Sequence, residues 1–326
     1  MANRLLLIAS LSLFACACKQ PPRVQENLVP VDVPQFNADS AFNYTARQVE
    51  FGPRVPNTAA HKACGAYLAD CLRSFGAEVT EQETTLRLKD NTPIEIKNII
   101  GSFQPEKRIR IMLCAHWDSR PFADNAPNEA DRLKPIDGAN DGAGAAAVLL
   151  EIARQIGQKQ PAAGVDIILF DAEDWGEPRF AMPSKHYGTF CMGSEYWAKN
   201  PHVPNYKAKF GILLDMVGAP NAAFYRDYYS MQFAPQIVKK VWEAANSLGY
   251  SDYFINKDGG GIQDDHYYVN EYRKIPCIDI IHYDTNRYAD GFADYWHTHN
   301  DNMKNVDTAT LKVVGQTLMY VIYNEK

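Results

Sequence analysis

The sequence predicts an α/β fold in which helices cover a central sheet. Strand-length apolar runs alternate with stretches of helical periodicity, and the runs are apolar throughout, as strands buried on both faces must be. A further observation bears on chemistry: each run ends in carboxylates or histidines, and ligands of open α/β sheets sit at the carboxyl ends of strands.

In chain order, "TAAHKACGAYLADCLRSFG" has helical spacing, "IRIMLCAH" reads as a buried strand and "GAGAAAVLLEIARQIG" as the next helix. The runs "VDIILFDAED" and "FGILLDMVG" give two further strands, "FAPQIVKKVWEAANSLG" a helix and "IPCIDIIHYD" a strand. The closing helix, "DTATLKVVGQTLMYVIYNE", places Leu311, Val314, Leu318, Val321 and Ile322 on one face. No linker, repeat or low-complexity tract interrupts residues 37–326, so they are expected to form one domain.

The 326 residues, 46% of them hydrophobic, suffice for a sizeable core. A net charge of −6 without clustered Lys and Arg argues against a nucleic-acid partner. Residues 1–18 read as a signal peptide, because the apolar stretch from Leu5 to Ala17 is too short to span a bilayer. Its end, "LFACACK", resembles a lipoprotein processing site, with Cys18 or else Cys16 as the lipidated residue. An exported, periplasmic protein anchored in a membrane through Cys18 is expected, with cleavage and free secretion as the alternative. Residues 19–36, punctuated by proline, are read as an extended tether. The five remaining cysteines, Cys64, Cys71, Cys114, Cys191 and Cys277, imply no disulfide framework. Cys64 and Cys71 fall about 10 Å apart along a helix, beyond bridging distance.

The chemistry-bearing positions lie far apart in sequence. "AHWDS" supplies His116 and Asp118, "GANDGAGA" supplies Asp141 and "FDAEDW" supplies Glu173 and Asp174. Asp215 ends "FGILLD", Asp264 and Asp265 stand together in "GGGIQDDH", and His297 lies in "YWHTHND". Histidine and carboxylates without cysteine are the donor set of a catalytic zinc rather than a structural one. Neither glycine-rich stretch reads as a nucleotide loop: no Lys-Ser or Lys-Thr follows residues 259–261, and Asp141 would repel a pyrophosphate.

Over roughly residues 45–325 the sequence resembles the zinc-dependent aminopeptidase-like superfamily, and within it the animal-type glutaminyl-peptide cyclotransferases, or glutaminyl cyclases. The stretches "GANDGAGAAAVLLEIAR", "LLDMVGAPN", "GGGIQDDHYYV" and "WHTHNDNMKNVD" carry the resemblance. It implies a single domain with a twisted, mostly parallel central sheet flanked by helices on both faces. It also implies one Zn2+ per chain, held by Asp141, Asp174 and His297, with Glu173 as acid and base. Asp215 and Asp264 become a hydrogen-bonded acidic pair sharing a proton, and Trp296, Phe292, Ile262 and Gln263 line a pocket for the glutamine side chain. The implied substrates are peptides and proteins with N-terminal glutamine, converted to pyroglutamate with release of ammonia; the sequence does not fix the oligomeric state, and a monomer is favoured.

Two departures stand out. The animal enzymes usually carry Glu where this chain has Asp174, and the loop 175–187 does not align, leaving Trp175 as the candidate for one pocket wall. His116 is left open, because the related two-zinc aminopeptidases use the equivalent residue as a ligand and the cyclases do not. A two-zinc aminopeptidase and a non-catalytic binding protein on the same fold are therefore the alternatives. Among the remaining residues, Asp265 is expected to serve backbone groups or His266. Residues His266, His282 and His299 are read as structural, Trp117 as core, and His61, His186 and His202 as surface.

Overall fold

The computed structural model describes residues 31–179 and 189–326. The signal segment with Cys16 and Cys18, the tether up to residue 30, and residues 180–188 with His186 lie outside the described residues.

Eight strands are present among the described residues: β1 (Glu78–Arg87), β2 (Pro93–Phe103), β3 (Arg110–His116), β4 (Gly164–Phe170), β5 (Phe210–Asp215), β6 (Phe224–Arg226), β7 (Phe254–Asp258) and β8 (Cys277–Ile281). Six form one sheet in the order β1-β2-β4-β3-β5-β8, and β6 pairs with β7 beside it. The four runs read as buried strands, β3, β4, β5 and β8, are its parallel part, with β8 at the edge. The antiparallel pair β1 and β2, joined to β4 antiparallel, extends one side.

Alternation along each central strand divides its side chains between two cores. Ile111, Leu113 and Ala115 of β3 enter one, and Met112 and Cys114 enter the other. The larger core is closed by α1 (Ala38–Glu50), α2 (Ala59–Ser74), α3 (Ala145–Gln158), α6 (Pro235–Ser247) and α8 (Thr308–Asn324). On the opposite face α4 (Met192–Lys199) inserts Trp197 against Phe170 and Tyr206. Two short helices, α5 (Tyr228–Phe233) and α7 (Asp265–Tyr268), flank β8. Each fully buried Leu or Ile of these cores contributes about 1.5–3 kcal/mol.

The segment expected as a tether joins the body before residue 37. Phe36 is buried in the larger core, its backbone N–H donates to Gln316 Oε1 at 2.8 Å, and Lys159 reaches Asp32. His61 is not a surface residue: it is buried, its Nε2 pairs with Asp171 Oδ2 at 2.8 Å, and its ring stacks on Trp117 at 4.4 Å. His202 is half-buried on Trp197, whose Nε1 donates to His202 Nδ1. Trp117 is fully buried, in keeping with a core role. The five described cysteines, Cys64, Cys71, Cys114, Cys191 and Cys277, are free thiols.

Candidate active site

The carboxyl ends of β4, β5 and β8 open onto one pocket of about 150 Å³, whose walls include Asp141, Glu173, Asp174, Asp215, Asp264 and His297. The parallel strands explain the convergence, since all present their ends on the same edge of the sheet. The chain bends sharply to aim these groups. Ala172, Cys191, Met216 and His297 all adopt positive φ without being glycine, a concentration of backbone strain characteristic of functional sites.

Asp141 sits in a wide turn, Ala139–Gly144, that enters α3 with Asp141 itself out of helical conformation (φ −99°, ψ 90°). Asp301 fixes the turn, accepting hydrogen bonds from the N–H groups of Asn140 at 2.8 Å and Asp141 at 3.1 Å. Burial, then the charge of Asp141, pushes the Asp301 carboxyl up to about 7. Asp118, below the pocket, accepts from the backbone N–H of Glu173 and of Asp174 and approaches His116 Nδ1 at 3.3 Å. That single buried carboxylate therefore orients both the strand-end histidine and the two acidic residues after β4.

His297 and Asp174 are tied together by residues the sequence did not single out. Buried Arg120 grips Asp124 through two hydrogen bonds of 2.9 and 2.8 Å, while its Nη1 donates to Asp174 Oδ1 at 3.1 Å. Asp124 Oδ1 in turn faces His297 Nδ1 at 3.1 Å. Burial alone would raise Asp124, but hydrogen bonds from Arg120 and His297 hold it well below the usual carboxylate range. His297 Nε2 then points at Asp141 Oδ2, 3.6 Å away, and Asp174 Oδ1, 3.4 Å away.

These three residues fit a zinc ion. Ligand atoms around a tetrahedral zinc with bonds of about 2.0–2.2 Å stand about 3.3 Å apart, close to the spacing here, and one donor atom from each falls within 4.8 Å of the others. Asp174 Oδ2 is buried with no hydrogen-bond partner among the described residues, as expected of an oxygen reserved for a cation. The carboxylate behind Nδ1 is the outer partner that metal-bound histidines usually have. Asp in place of Glu at position 174 thus leaves a complete donor set.

His116, Asp141 and Asp215 form a second group within ligand reach, sharing Asp141. Here the imidazole already answers the carboxylates: Nε2 lies 3.1 Å from Asp141 Oδ1 and 3.2 Å from Asp215 Oδ1. Although burial disfavours its charge, Asp118, Asp141 and Asp215 together raise His116 well above its ordinary value. Asp215 is pushed up to about 6, chiefly by burial.

Glu173 faces the pocket and remains partly exposed, yet enclosure by protein and then the charge of Asp264 push its carboxyl well above the usual range. Asp264 caps α7 by accepting from the Asp265 N–H at 2.5 Å. Burial, then Asp215, pushes it up to about 7. No direct hydrogen bond between Asp215 and Asp264 is found among the described residues; Asp215 meets His116 instead. Asp265 is fully buried, but neither of its carboxylate oxygens has a hydrogen-bond partner among the described residues, so it does not serve backbone groups or His266 as expected; His266, buried as a structural residue, approaches Asp227 Oδ2 at 3.3 Å. His282 is buried likewise, with Nδ1 at the backbone of Ala223.

Trp296, Phe292, Ile262 and Gln263 line the pocket as the resemblance implies. Trp296 stacks on Phe292 at 4.1 Å and beside the His297 ring at 3.7 Å, making a flat aromatic wall next to the donor set. Trp175 does not belong to this wall. Its ring packs with Leu88, Ile94 and Met192 behind β2, the chain bending through residues 172–174 just before it, and Phe190 lines the pocket in its stead. Strand-end Asp171 and Asp284 also stay outside: Asp171 is bound to His61, and Asp284 caps its own loop.

Residues 98–322 match peptidase family M28. A Tannerella forsythia glutaminyl cyclase of known structure is 57% identical, covering 90% of this chain and 100% of that one with a TM-score of 0.87. A Zn-dependent exopeptidase from Parabacteroides distasonis aligns with the same identity, coverage and TM-score. Among curated proteins, the glutaminyl-peptide cyclotransferase of Bos taurus is 26% identical over 82% of this chain and 77% of its own length. The chain belongs to peptidase family M28, where it stands among the glutaminyl-peptide cyclotransferases.

Proposed function

We propose that this chain is a zinc-dependent glutaminyl cyclase, converting the N-terminal glutamine of peptides and proteins to pyroglutamate with release of ammonia. One observation carries the choice over peptide hydrolysis. The pocket beside the Asp141, Asp174 and His297 set is a slot of about 150 Å³ walled by Trp296, Phe292 and Ile262, sized for a glutamine side chain. That donor set retains an unpartnered oxygen. One zinc per chain, on that set, is part of the proposal.

When bound, zinc supplies a Lewis acid to the side-chain carbonyl of the substrate. The narrow slot formed by Trp296, Phe292 and Ile262 holds the glutamine side chain folded towards its own α-amine, so both reactants arrive tethered and no water need be activated. The amine nitrogen bonds to the side-chain carbonyl carbon as the bond from that carbon to the amide nitrogen breaks. The Glu173 carboxylate, made more basic by burial and the charge of Asp264, takes the proton from the amine and returns it to the departing nitrogen. Asp264, its carboxyl pushed up by burial and the charge of Asp215, steadies that leaving group.

The competing reading, a two-zinc aminopeptidase, draws on the second donor group and on the exopeptidase relative. Incubating the purified zinc enzyme with one peptide beginning in Gln and one beginning in Leu separates them. Mass loss equal to ammonia from the first, with the second intact and about one zinc per chain, is the expected result. Release of free N-terminal residues with two zinc ions per chain would replace it with the peptidase.

We further propose export and membrane anchoring through lipidated Cys18, supported by the apolar stretch and small residues before it. Cys18→Ala should move the protein to the soluble fraction. A monomer is proposed, to be checked by sedimentation.

A further inference from the structure

Glu173, Cys191 and Asp264 approach one another at the pocket from three separate stretches of chain. Cys191 Sγ lies 3.2 Å from Glu173 Oε1 and 3.9 Å from Asp264 Oδ1, and one donor atom from each of the three falls within 4.8 Å of the others. Around a four-coordinate ion with a sulfur bond of about 2.3 Å and oxygen bonds of about 2.0 Å, sulfur and oxygen stand about 3.5 Å apart. The two observed separations bracket that spacing.

A second observation is independent of the thiol. Asp264 is 4% exposed; its Oδ1 is taken by the Asp265 N–H, while Oδ2 is buried without a partner among the described residues. Unsatisfied buried carboxylate oxygens call for a cation or a proton. The thiol is also held in place: Cys191 takes a left-handed backbone (φ 61°), and its N–H donates to the Glu173 carbonyl at 2.8 Å. Glu173 and Asp264 both line the pocket, so an ion reaches the cluster by the path a substrate uses.

We infer that Glu173, Cys191 and Asp264 form a second cation site, separate from the Asp141, Asp174 and His297 set, which takes a thiophilic divalent ion and thereby silences the enzyme. The sulfur ligand sets its preference, since the zinc set offers only nitrogen and oxygen. On binding, the ion bonds to Sγ, the thiol proton passes to solvent, and no oxidation occurs. The same ion occupies the Glu173 oxygen needed for proton transfer. Binding stands on the geometry alone, whereas silencing rests on the proposed role of Glu173.

The test titrates zinc-loaded enzyme with Cd2+ while following three readouts: the ultraviolet thiolate-to-cadmium band, zinc in the filtrate, and glutamine cyclisation. Wild type should show the band and lose turnover with its zinc retained. In Cys191→Ser and Cys191→Ala, each compared with its own cation-free rate and checked for an unaltered melting transition, the band should vanish. The Cd2+ concentration for half-inhibition should rise by more than tenfold, since losing even an outer-shell partner costs about 10- to 100-fold in metal affinity. An equal band in both variants would place the ion on another cysteine and overturn the site. Inhibition in step with zinc release would overturn it too, as would a saturated Cys191-dependent band with turnover intact. Should no form of the protein cyclise glutamine while the Cys191-dependent band persists, the cation site stands and the cyclase reading falls.

Discussion

His297 Nδ1 faces Asp124 Oδ1 at 3.1 Å, and this contact turns Nε2 towards Asp141 and Asp174. Because Asp124 is itself clamped by Arg120, which also holds Asp174, one buried pair positions two of the three residues of the donor set. Asp124→Ala should lower zinc affinity by about 10- to 100-fold, measured by competition with a chromophoric chelator. An unchanged affinity would mean that packing alone orients the His297 ring.

Glu173 lines the pocket but is absent from the donor set, so its removal should separate metal binding from chemistry. Glu173→Gln keeps the shape and one oxygen, and the variant should bind zinc normally. It should lose turnover by about 100-fold or more, the range general acid-base groups supply. Near-normal turnover in a variant shown to be zinc-loaded would remove Glu173 from the mechanism.

The central strands were legible as apolar runs, and Asp141 and Asp174 stand beside a glycine-rich turn and an apolar run where a charge is conspicuous, whereas His297, in "YWHTHND", has neither and entered the donor set only through the family resemblance. β1, "EVTEQETTLR", was not, since it is an exposed edge strand with no apolar run to mark it. Arg120 and Asp124 escaped for another reason. They lie in a loop without periodicity, and only the fold shows that both are buried. Position 191 reads in sequence as a small apolar residue; its nearness to Glu173 and Asp264 depends on a left-handed turn that the sequence does not announce. Trp175 failed as a pocket residue because side-chain direction after a strand end depends on one backbone turn, here through Ala172 at φ 51°.

Gly142 follows Asp141 and packs against the ring of His116. A Cβ there would lie 2.6 Å from Cε1 and 2.7 Å from Nδ1 of the imidazole, and 2.8 Å from the His116 carbonyl oxygen. Because the carbonyl belongs to β3, the ring cannot simply swing aside to relieve the clash. Gly142→Ala should destabilise the fold by about 1–3 kcal/mol. It should also cut kcat by up to about 100-fold, as a displacement near 1 Å does elsewhere. Thermal melting and kinetics on the same preparation check both, and full activity would show that His116 tolerates displacement.

Asp264 makes the pH dependence of stability specific. Its carboxyl moves from an ordinary 3.8 to about 7 in the fold, because burial and the charge of Asp215 oppose ionisation. Below about 4 the group is protonated in both folded and unfolded chains and contributes no difference. As pH rises from 4 towards 7 the unfolded chain ionises while the folded chain does not, so the wild type loses stability across that window. Asp264→Asn keeps the oxygen that caps α7 but cannot ionise. The stability of this variant relative to wild type should therefore climb between pH 4 and 7, by on the order of 1 kcal/mol per pH unit, and level off above it. Urea unfolding of chelator-treated protein at several pH values measures the difference directly. A flat difference across the window would mean that Asp264 ionises at its ordinary value and cannot hold a proton for the departing ammonia at neutral pH.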